Sequence, residues 1–555
     1  MRGAAARRGA AARRGAAATT RATHARSHRA NRRRALGLVL LLLGVLPGPP
    51  AVADQSDPHL ADAEAALTRW DLEVAQMAID QAEASATRDV KQGVLHVFAG
   101  RYAQAETLLA AALASGELVQ GSDADGEARH FLALARGSQR ALEGSVTVDS
   151  ADGHVRAVFA DPKDALIAPY LFDAMAQARE ALGTDLGVRP DHPVRFELLD
   201  DPLKLAMITP LTTENIRTTG TVGVTKYRRI MMITPRVMVY GYGWIDTAVH
   251  EYVHYLLTMR TGNQAPVWLQ EGLAKLLETR WRRDEPAPLD PAVAYHLHQA
   301  IVRDSLVTLD QMYPSVAMLP SQEQAALAYA EVETMLGLLL DRRGPAGIEV
   351  LLDRVSMGDD AKDALATAWG DDFDAFMEEW KVVTRKATAA ASEGPLRGPE
   401  FKDGQSTTES PSLGDVFSHL GGGKARQHAR LGGLLQGRGH DEAAAQQYEK
   451  ARAADRRARE DPVLSRRLGV LYVALERWAP AVPLLHRAAQ LEPEDANLAA
   501  AQGRALLRSG DRTGATEALW RAIRVNPFIP AVHCDLAELS EDEERRAHET
   551  THCPP

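Results

Sequence analysis

The chain has 555 residues, which is enough for roughly two to four domains of ~100–200 residues each. Hydrophobic residues make up 45% and charged residues 25%, the ordinary composition of a soluble globular protein. Residues 1–53 contain eleven Arg and no acidic residue, so the formal net charge of -10 becomes -21 when they are left out. Nucleic-acid binding needs a basic face, and the acidic remainder shows none, which argues against a nucleic-acid partner.

The first 53 residues have the organisation of an export signal. A basic segment ends at Asn31–Arg34, an apolar run of twelve residues extends from Ala35 to Leu46, and Ala51–Ala53 provide a small-residue cleavage site. The apolar run is shorter than the ~20 residues that a membrane-spanning helix needs. We therefore expect a cleaved signal peptide, with an uncleaved anchor as the alternative, and the paired Arg residues also fit a twin-arginine signal. The mature protein is then periplasmic or secreted, with no stable membrane span.

Two Ala-rich segments, 54–144 and 424–540, share a spacing of small residues that is typical of paired helices. A Gly is followed twelve residues later by an Ala four times, at Gly93/Ala105, Gly432/Ala444, Gly469/Ala481 and Gly503/Ala515. From Gly469 to Gly503 the period is 34 residues, so the pattern resembles the tetratricopeptide repeat. Such repeats stack into a solenoid whose concave face binds protein partners, and the alternative is a helical scaffold without a ligand.

Between these segments, residues 145–388 have a different pattern. Alternating apolar residues predict strands at 192–199, 221–224 and 229–233, and long helical patterns follow from residue 245. Strands followed by helices indicate an α+β domain. Residues 389–423 are rich in Gly, Ser, Pro and Thr and are predicted to be a flexible linker, so the repeats should stack without help from the α+β domain.

The C-terminal residues 541–555 are predicted to be a mobile tail. They contain Cys553, which can pair with Cys534 in an oxidising compartment or remain a free thiol.

The strongest chemical signal is an HExxH motif at His250–His254. His250 and His254 are four residues apart, so both imidazoles lie on one helix face and can bind one metal ion. Glu251 is placed to act as the general base on a water that the metal activates. Asp246 is predicted to cap this helix, and the apolar residues that should pack it against the domain are Val249, Val253, Leu256 and Leu257.

A third ligand is predicted seventeen residues after the motif. Glu271 follows Pro266, which suits the first turn of a new helix, and its carboxylate can reach the metal from that helix. Two His and one Glu leave a coordination position free for water, which is typical of a catalytic rather than a structural zinc site. The sequence therefore predicts one zinc ion per chain, held by His250, His254 and Glu271.

HExxH followed by Trp268-Leu269-Gln270-Glu271-Gly272 resembles the gluzincin peptidases of the Peptidase MA-like group, which is related to aminopeptidase N and glycyl aminopeptidase. The resemblance implies that Tyr329, at the start of a later helix, donates a hydrogen bond to the oxyanion; its alternative role is packing. It also implies that the strand at 229–233 pairs with an extended substrate, unless that strand is internal. The Gly-x-Met-Glu-Asn segment that holds a substrate amino terminus has no counterpart, which argues against aminopeptidase action.

Other histidines are predicted to lie outside the site. A second HExxH, His548–His552, follows a highly charged segment and has no apolar stripe and no room for a third ligand, so it is interpreted as a chance match. His296 and His298 are two residues apart and face different directions on a helix, so they are predicted to be surface residues.

The fold class predicted from these patterns is an α+β zincin-like metallopeptidase domain flanked by all-α, tetratricopeptide-like segments. The predicted function is that of an exported zinc-dependent metallohydrolase, a peptidase acting on a peptide or protein substrate. Two alternatives remain: a non-catalytic scaffold whose repeats bind protein partners, and a purely structural zinc site.

Overall fold

The computed structural model describes residues 57–391, 417, 420 and 423–554. The predicted signal segment 1–53 and most of the predicted linker 389–423 lie outside these residues. Across the described ranges, no helix combines the length and the apolar character needed to cross a bilayer.

The chain begins with five helices that pack as antiparallel neighbours: α1 (Pro58–Thr68), α2 (Leu72–Gln81), α3 (Ala86–Phe98), α4 (Tyr102–Ala114) and α5 (Asp123–Ala141). A Cβ atom added to Gly93 of α3 would lie 2.5 Å from Leu109 Cγ of α4. The other three glycines of the repeated spacing face the side chain sixteen residues later in the same way, at Gly432/Tyr448, Gly469/Leu485 and Gly503/Leu519. The small residues are therefore where paired helices make their closest contact, as the repeat pattern predicts.

A five-stranded mixed sheet follows the first helices: β1 (Val146–Asp149), β2 (Val155–Phe159), β3 (Val194–Leu199), β4 (Gly223–Lys226) and β5 (Arg229–Ile233). The spatial order is β1-β2-β3-β5-β4, with β2, β3 and β5 parallel and the two outer strands antiparallel to their neighbours. β5 is thus internal, and the expectation that it pairs with substrate is wrong, because both of its edges are already hydrogen-bonded. The two edge strands are β1 and β4, and β4 is the edge strand next to β5.

Nine helices of the described residues complete the central part: α6 (Ala168–Asp185), α7 (Pro202–Ile208), α8 (Thr213–Thr219), α9 (Trp244–Thr261), α10 (Val267–Leu277), α11 (Pro291–Arg303), α12 (Gln322–Ser356), α13 (Ala361–Trp369) and α14 (Phe373–Ala387). The HExxH helix is α9, and the four apolar residues predicted to pack it are fully buried. It packs against β4, β5 and α6. Asp246 does not cap α9, because the helix begins at Trp244 and the Asp246 carboxylate instead accepts hydrogen bonds from Trp281 and Arg282.

The N-terminal helices are joined to the sheet by a buried polar cluster. Arg229 of β5 and Glu197 of β3 are both fully buried and form an ion pair with an Nη1–Oε2 distance of 2.9 Å. Tyr102 of α4 donates to Glu197 and accepts from Arg229, and Ser138 of α5 accepts from the same guanidinium nitrogen. A buried ion pair needs such satisfied hydrogen bonds, so the sheet and the helices depend on each other here.

Beyond the undescribed segment lie α15 (Lys424–Gln436), α16 (Asp441–Ala454), α17 (Arg456–Glu460), α18 (Pro462–Ala474), α19 (Trp478–Leu491), α20 (Ala496–Arg508), α21 (Arg512–Val525), α22 (Pro530–Leu539) and α23 (Glu543–Thr551). Helices α15–α19 share a separate hydrophobic cluster, whereas side chains of α20, α21 and α22 belong to the core of the central part.

The contact between the repeats and the central part reaches the start of the HExxH helix. Trp244 Nε1–H donates to the buried carbonyl oxygen of Ile523 at 2.8 Å, and the Tyr242 backbone N–H donates to Val525 O at 3.0 Å. The repeats therefore make buried contacts with the α+β domain, which a linker's composition does not reveal, and whether they stack without that domain stays a prediction.

The end of the chain is also packed rather than mobile. Residues Glu543–Thr551 form helix α23, and Glu549 is fully buried, where it accepts from the Tyr170 hydroxyl of α6 at 2.8 Å. His533 Nδ1 lies 2.6 Å from the same carboxylate, and Cys534 is disulfide-bonded to Cys553. Together, these elements make an α+β zincin-like domain flanked by all-α helical-repeat segments.

Candidate metal centre

Three side chains converge between α9 and α10. His250 Nε2 and His254 Nε2 are 3.2 Å apart, and each lies 3.3 Å from Glu271 Oε2. The one-turn spacing on α9 brings the two imidazoles together, and α10, which begins directly after Pro266, carries Glu271 to them. The three side chains are 12–14% exposed, so they form a partly enclosed group at the helix–helix contact.

The separations of these atoms fit a zinc ion. Ligands at ~2.0–2.1 Å from a tetrahedral ion lie about 3.3–3.4 Å apart, which matches all three edges of the observed triangle. Glu271 Oε2 is buried and receives no hydrogen bond of normal geometry. Burial alone would raise the pKa of Glu271, but the two neighbouring imidazoles hold it well below its usual range. An ionised carboxylate beside two nitrogen donors is the ligand set that a catalytic zinc site uses.

Glu278 holds His250 from the other side of its ring. Glu278 Oε2 lies 3.1 Å from His250 Nδ1, while Glu278 Oε1 accepts from Lys275 Nζ at 2.6 Å. A carboxylate at Nδ1 keeps the proton there and leaves the Nε2 lone pair directed at the metal position. Burial lowers the pKa of His250, but its contacts with Glu271 and Glu278 outweigh this and raise it to about 10, so a bound metal would have to displace the proton from Nε2.

Sequence reasoning missed Glu278, although a signal existed. It lies seven residues after Glu271, which is two helical turns, and it directly follows the last residue of α10 with helical backbone angles.

Glu251 is buried next to the three converging side chains and faces β4. Its Oε2 lies 2.7 Å from Thr225 Oγ1, and burial raises the pKa of its carboxyl group. A Cβ atom at Gly223 would come within 2.5 Å of Glu251 Oε1, so this position of β4 has to be small. Neither β4 residue was singled out from the sequence, because the strand pattern does not show which helix it packs against.

Tyr329 also lies at the site. It is in the second turn of α12, and its ring stands edge-on to the His250 ring with 6.4 Å between centroids. Burial raises the pKa of Tyr329 well above its usual value, and nearby Glu271 and Glu251 raise it further. The hydroxyl therefore keeps its proton and can act as a hydrogen-bond donor.

These features occur within a recognised family region. Residues 174–386 match the family model of the Peptidase MA superfamily. The matched region contains the three converging side chains together with Glu251 and Tyr329, whereas the narrower likeness to aminopeptidase N stays a prediction. No curated protein shows a significant match to the chain.

Several solved structures resemble this chain at low sequence identity and low TM-score. A structure of MamA from MSR-1 is 21% identical over 25% of this chain and 80% of its own, with a TM-score of 0.21. The APC/C hetero-tetramer Cut9-Hcn1 is 12% identical over 88% of this chain and 97% of its own, with a TM-score of 0.20. The structure of Naa15/Naa10 bound to HypK-THB is 14% identical over 89% of this chain and 66% of its own, with a TM-score of 0.18.

The second HExxH does not form a comparable group. Among the described residues, His250, His254 and Glu271 are the one set of three or more possible ligands that converges. The carboxylate of Glu549 is instead occupied by the hydroxyl of Tyr170 and the imidazole of His533.

His296 and His298 do not belong to the converging group. His298 Nδ1 lies 3.1 Å from Thr388 Oγ1, and His296 packs against the ring of Tyr295.

Proposed function

We propose that the chain is a zinc-dependent peptidase whose metal is held by His250, His254 and Glu271. The observation that carries this proposal is the triangle of ligand atoms with 3.2–3.3 Å edges beside the buried carboxyl group of Glu251. Zinc in this position supplies a Lewis acid that polarises a carbonyl group and lowers the pKa of water.

The other residues have distinct roles in the proposed hydrolysis. Glu251 takes the proton of the attacking water and passes it to the leaving amine; Oε1 is available for this transfer because Thr225 holds Oε2. The Tyr329 hydroxyl donates to the oxyanion that develops on the carbonyl. Glu278 keeps the His250 ring oriented throughout.

The position of β4 supports a peptide substrate. This strand is at the edge of the sheet, and two of its residues contact Glu251. An extended peptide can hydrogen-bond to a free strand edge and is then held along its backbone beside the general base. The geometry supports peptide-bond hydrolysis better than hydrolysis of a small, compact substrate.

The organisation of the chain is part of the same proposal. We assign residues 1–53 to a signal peptide, 54–144 to an N-terminal tetratricopeptide-like arm, 145–388 to the peptidase domain, 389–423 to a linker and 424–540 to the C-terminal repeats. Export to the periplasm or the exterior follows from the signal. Helices α15–α19 form a repeat array with its own hydrophobic core, and an array of this kind can bind a protein partner on its concave face.

Metal analysis tests the ligand assignment, and the chain contains its own matched control. We expect one zinc per chain by mass spectrometry, a loss of that zinc in His254→Ala, and no loss in His552→Ala, which makes the same change in the second HExxH. A full equivalent of zinc in His254→Ala would refute the assignment.

Turnover tests the catalytic part of the proposal. The zinc-loaded protein should cleave members of a peptide library, and a chelator should stop the cleavage. Glu251→Gln should keep zinc and lose about 100-fold or more of the rate. A zinc-loaded wild-type protein that cleaves nothing would favour the scaffold alternative, in which the repeats bind partners and the peptidase domain is inactive.

A further inference from the structure

The edge strand β4 contacts Glu251 at two points, the main-chain carbonyl group and the side-chain carboxylate. Thr225 Oγ1 lies 2.7 Å from the carboxylate oxygen Oε2 of Glu251 and 2.8 Å from its main-chain carbonyl oxygen. Both distances are in the normal range for hydrogen bonds between oxygens. The single hydroxyl proton of Thr225 is therefore shared between two acceptors, the backbone carbonyl of α9 and the carboxylate that this helix presents.

The neighbouring glycine completes the contact. Residues two apart on a strand point to the same face, so Gly223 and Thr225 both face α9. At Gly223 a side chain would collide with Glu251, since a Cβ atom would lie 2.5 Å from Oε1 and 2.9 Å from Cγ. The strand thus leaves space for one carboxylate oxygen and hydrogen-bonds the other.

The strand is itself fixed in place. The β4–β5 turn contains Tyr227 and Arg228, both with positive φ, and the Tyr227 hydroxyl lies 3.0 Å from His130 Nε2 of α5. The Tyr227 ring also packs against Phe131 of α5 and Phe98 of α3. The N-terminal arm therefore holds the turn that sets the position of Thr225.

We propose that Thr225 is a positioning residue for Glu251 and that Gly223 supplies the space in which the carboxylate is held. The inference rests on the proposed function, because it gives Glu251 the role of general base. The strand that offers its edge to the substrate thereby also orients the base, so one element sets the distance between the scissile bond and the proton acceptor. The Thr225 hydroxyl is the donor that reaches the Glu251 carboxylate from this strand.

The test compares three variants of the full-length, zinc-loaded protein. Thr225→Val keeps the shape and removes the hydroxyl, whereas Thr225→Ser keeps the hydroxyl. Thr221→Val makes the same change just before the strand, at a hydroxyl that contacts Thr219 rather than Glu251. Kinetics on a peptide taken from the library, zinc content and melting temperature are measured for each variant.

We expect Thr225→Val to lower kcat by about 10–100-fold, the usual effect of losing such a supporting contact, with KM changed by less than about threefold. Zinc content and melting temperature should stay close to wild type. Thr225→Ser should recover kcat to within about threefold of wild type, and Thr221→Val should leave it unchanged. A wild-type kcat in Thr225→Val would overturn the inference, and so would a joint loss of zinc or stability, because the hydroxyl would then be structural.

Crystal structures of the variants give a readout that does not depend on turnover. The Glu251 carboxylate should keep its orientation with Ser at position 225 and turn away from β4 with Val; an unchanged orientation with Val would overturn the inference. Failure of the proposed function would be seen in a different experiment: the wild-type protein would be loaded with zinc but would cleave no peptide.

Discussion

Removing the Glu278 carboxylate, which contacts Nδ1 of His250, should weaken zinc binding although Glu278 is not itself a proposed ligand. Loss of an outer partner of a metal-binding histidine commonly costs 10–100-fold in metal affinity, or about 1.4–2.7 kcal/mol. The 3.1 Å separation between Glu278 Oε2 and His250 Nδ1 is longer than the ~2.7–2.9 Å of strong charge-assisted bonds. We therefore expect about tenfold weaker binding in Glu278→Gln, where an amide oxygen can still accept, and close to 100-fold in Glu278→Leu.

The assay is a competition for zinc against a chromophoric chelator at neutral pH. Glu349→Gln, an exposed position on α12, is the matched control and should bind zinc like wild type. The stoichiometry at saturating zinc should stay at one per chain in every variant, since Glu278 is not a ligand. A dissociation constant for Glu278→Leu within about twofold of wild type would refute the reasoning, because the His250 ring would then be held by other contacts.

Three further predictions concern stability. Glu549→Ala removes the buried acceptor of the Tyr170 hydroxyl and should lower the free energy of unfolding by about 1–3 kcal/mol in a denaturant titration while the zinc content stays unchanged; zinc loss in the folded variant would contradict this. Trp244→Phe leaves the carbonyl of Ile523 without its donor and should cost about 1–3 kcal/mol, so unchanged unfolding would mean that the contact between the repeats and the central part is not stabilising. Burial raises the pKa of the Glu331 carboxyl group to about 8 in the folded chain, whereas an unfolded chain has a pKa of ~4.3 at this position. Between these two pH values the folded chain keeps the proton and the unfolded chain loses it, so the stability of the fold decreases as the pH rises from ~4.3 to about 8. In Glu331→Gln the melting temperature should depend less on pH over that range. A pH dependence equal to that of wild type would exclude Glu331 as its source.

The converging side chains could be predicted because their spacing is local. A spacing of four residues on one helix places His250 beside His254. Pro266, shortly before Glu271, precedes the helix that brings the third side chain to the two histidines. The α+β class with helical-repeat flanks was predicted correctly for the same reason, since alternation and a 34-residue period are readable along the chain. Strands β1 and β2, of four and five residues, were not predicted from the sequence.

The contacts around the site could not be read in this way. Strand order decides that β4 rather than β5 is the free edge, and pairing partners far apart in the sequence leave no periodic signal. The highly charged end of the chain looked mobile because one buried carboxylate, Glu549, cannot be told apart from its exposed neighbours by residue type. Its partner Tyr170 lies 379 residues earlier, far outside any local window.

The hydrogen bond from Trp244 to Ile523 joins residues 279 positions apart. Contacts of such long sequence separation form late in folding, because the intervening chain must first be made and ordered. The helix that carries the two histidines therefore gains this N-terminal contact only after residue 523 has been made. A chain that is cut short before Ile523 would leave this helix without that contact, so the last repeats help to position the helix of the candidate metal centre.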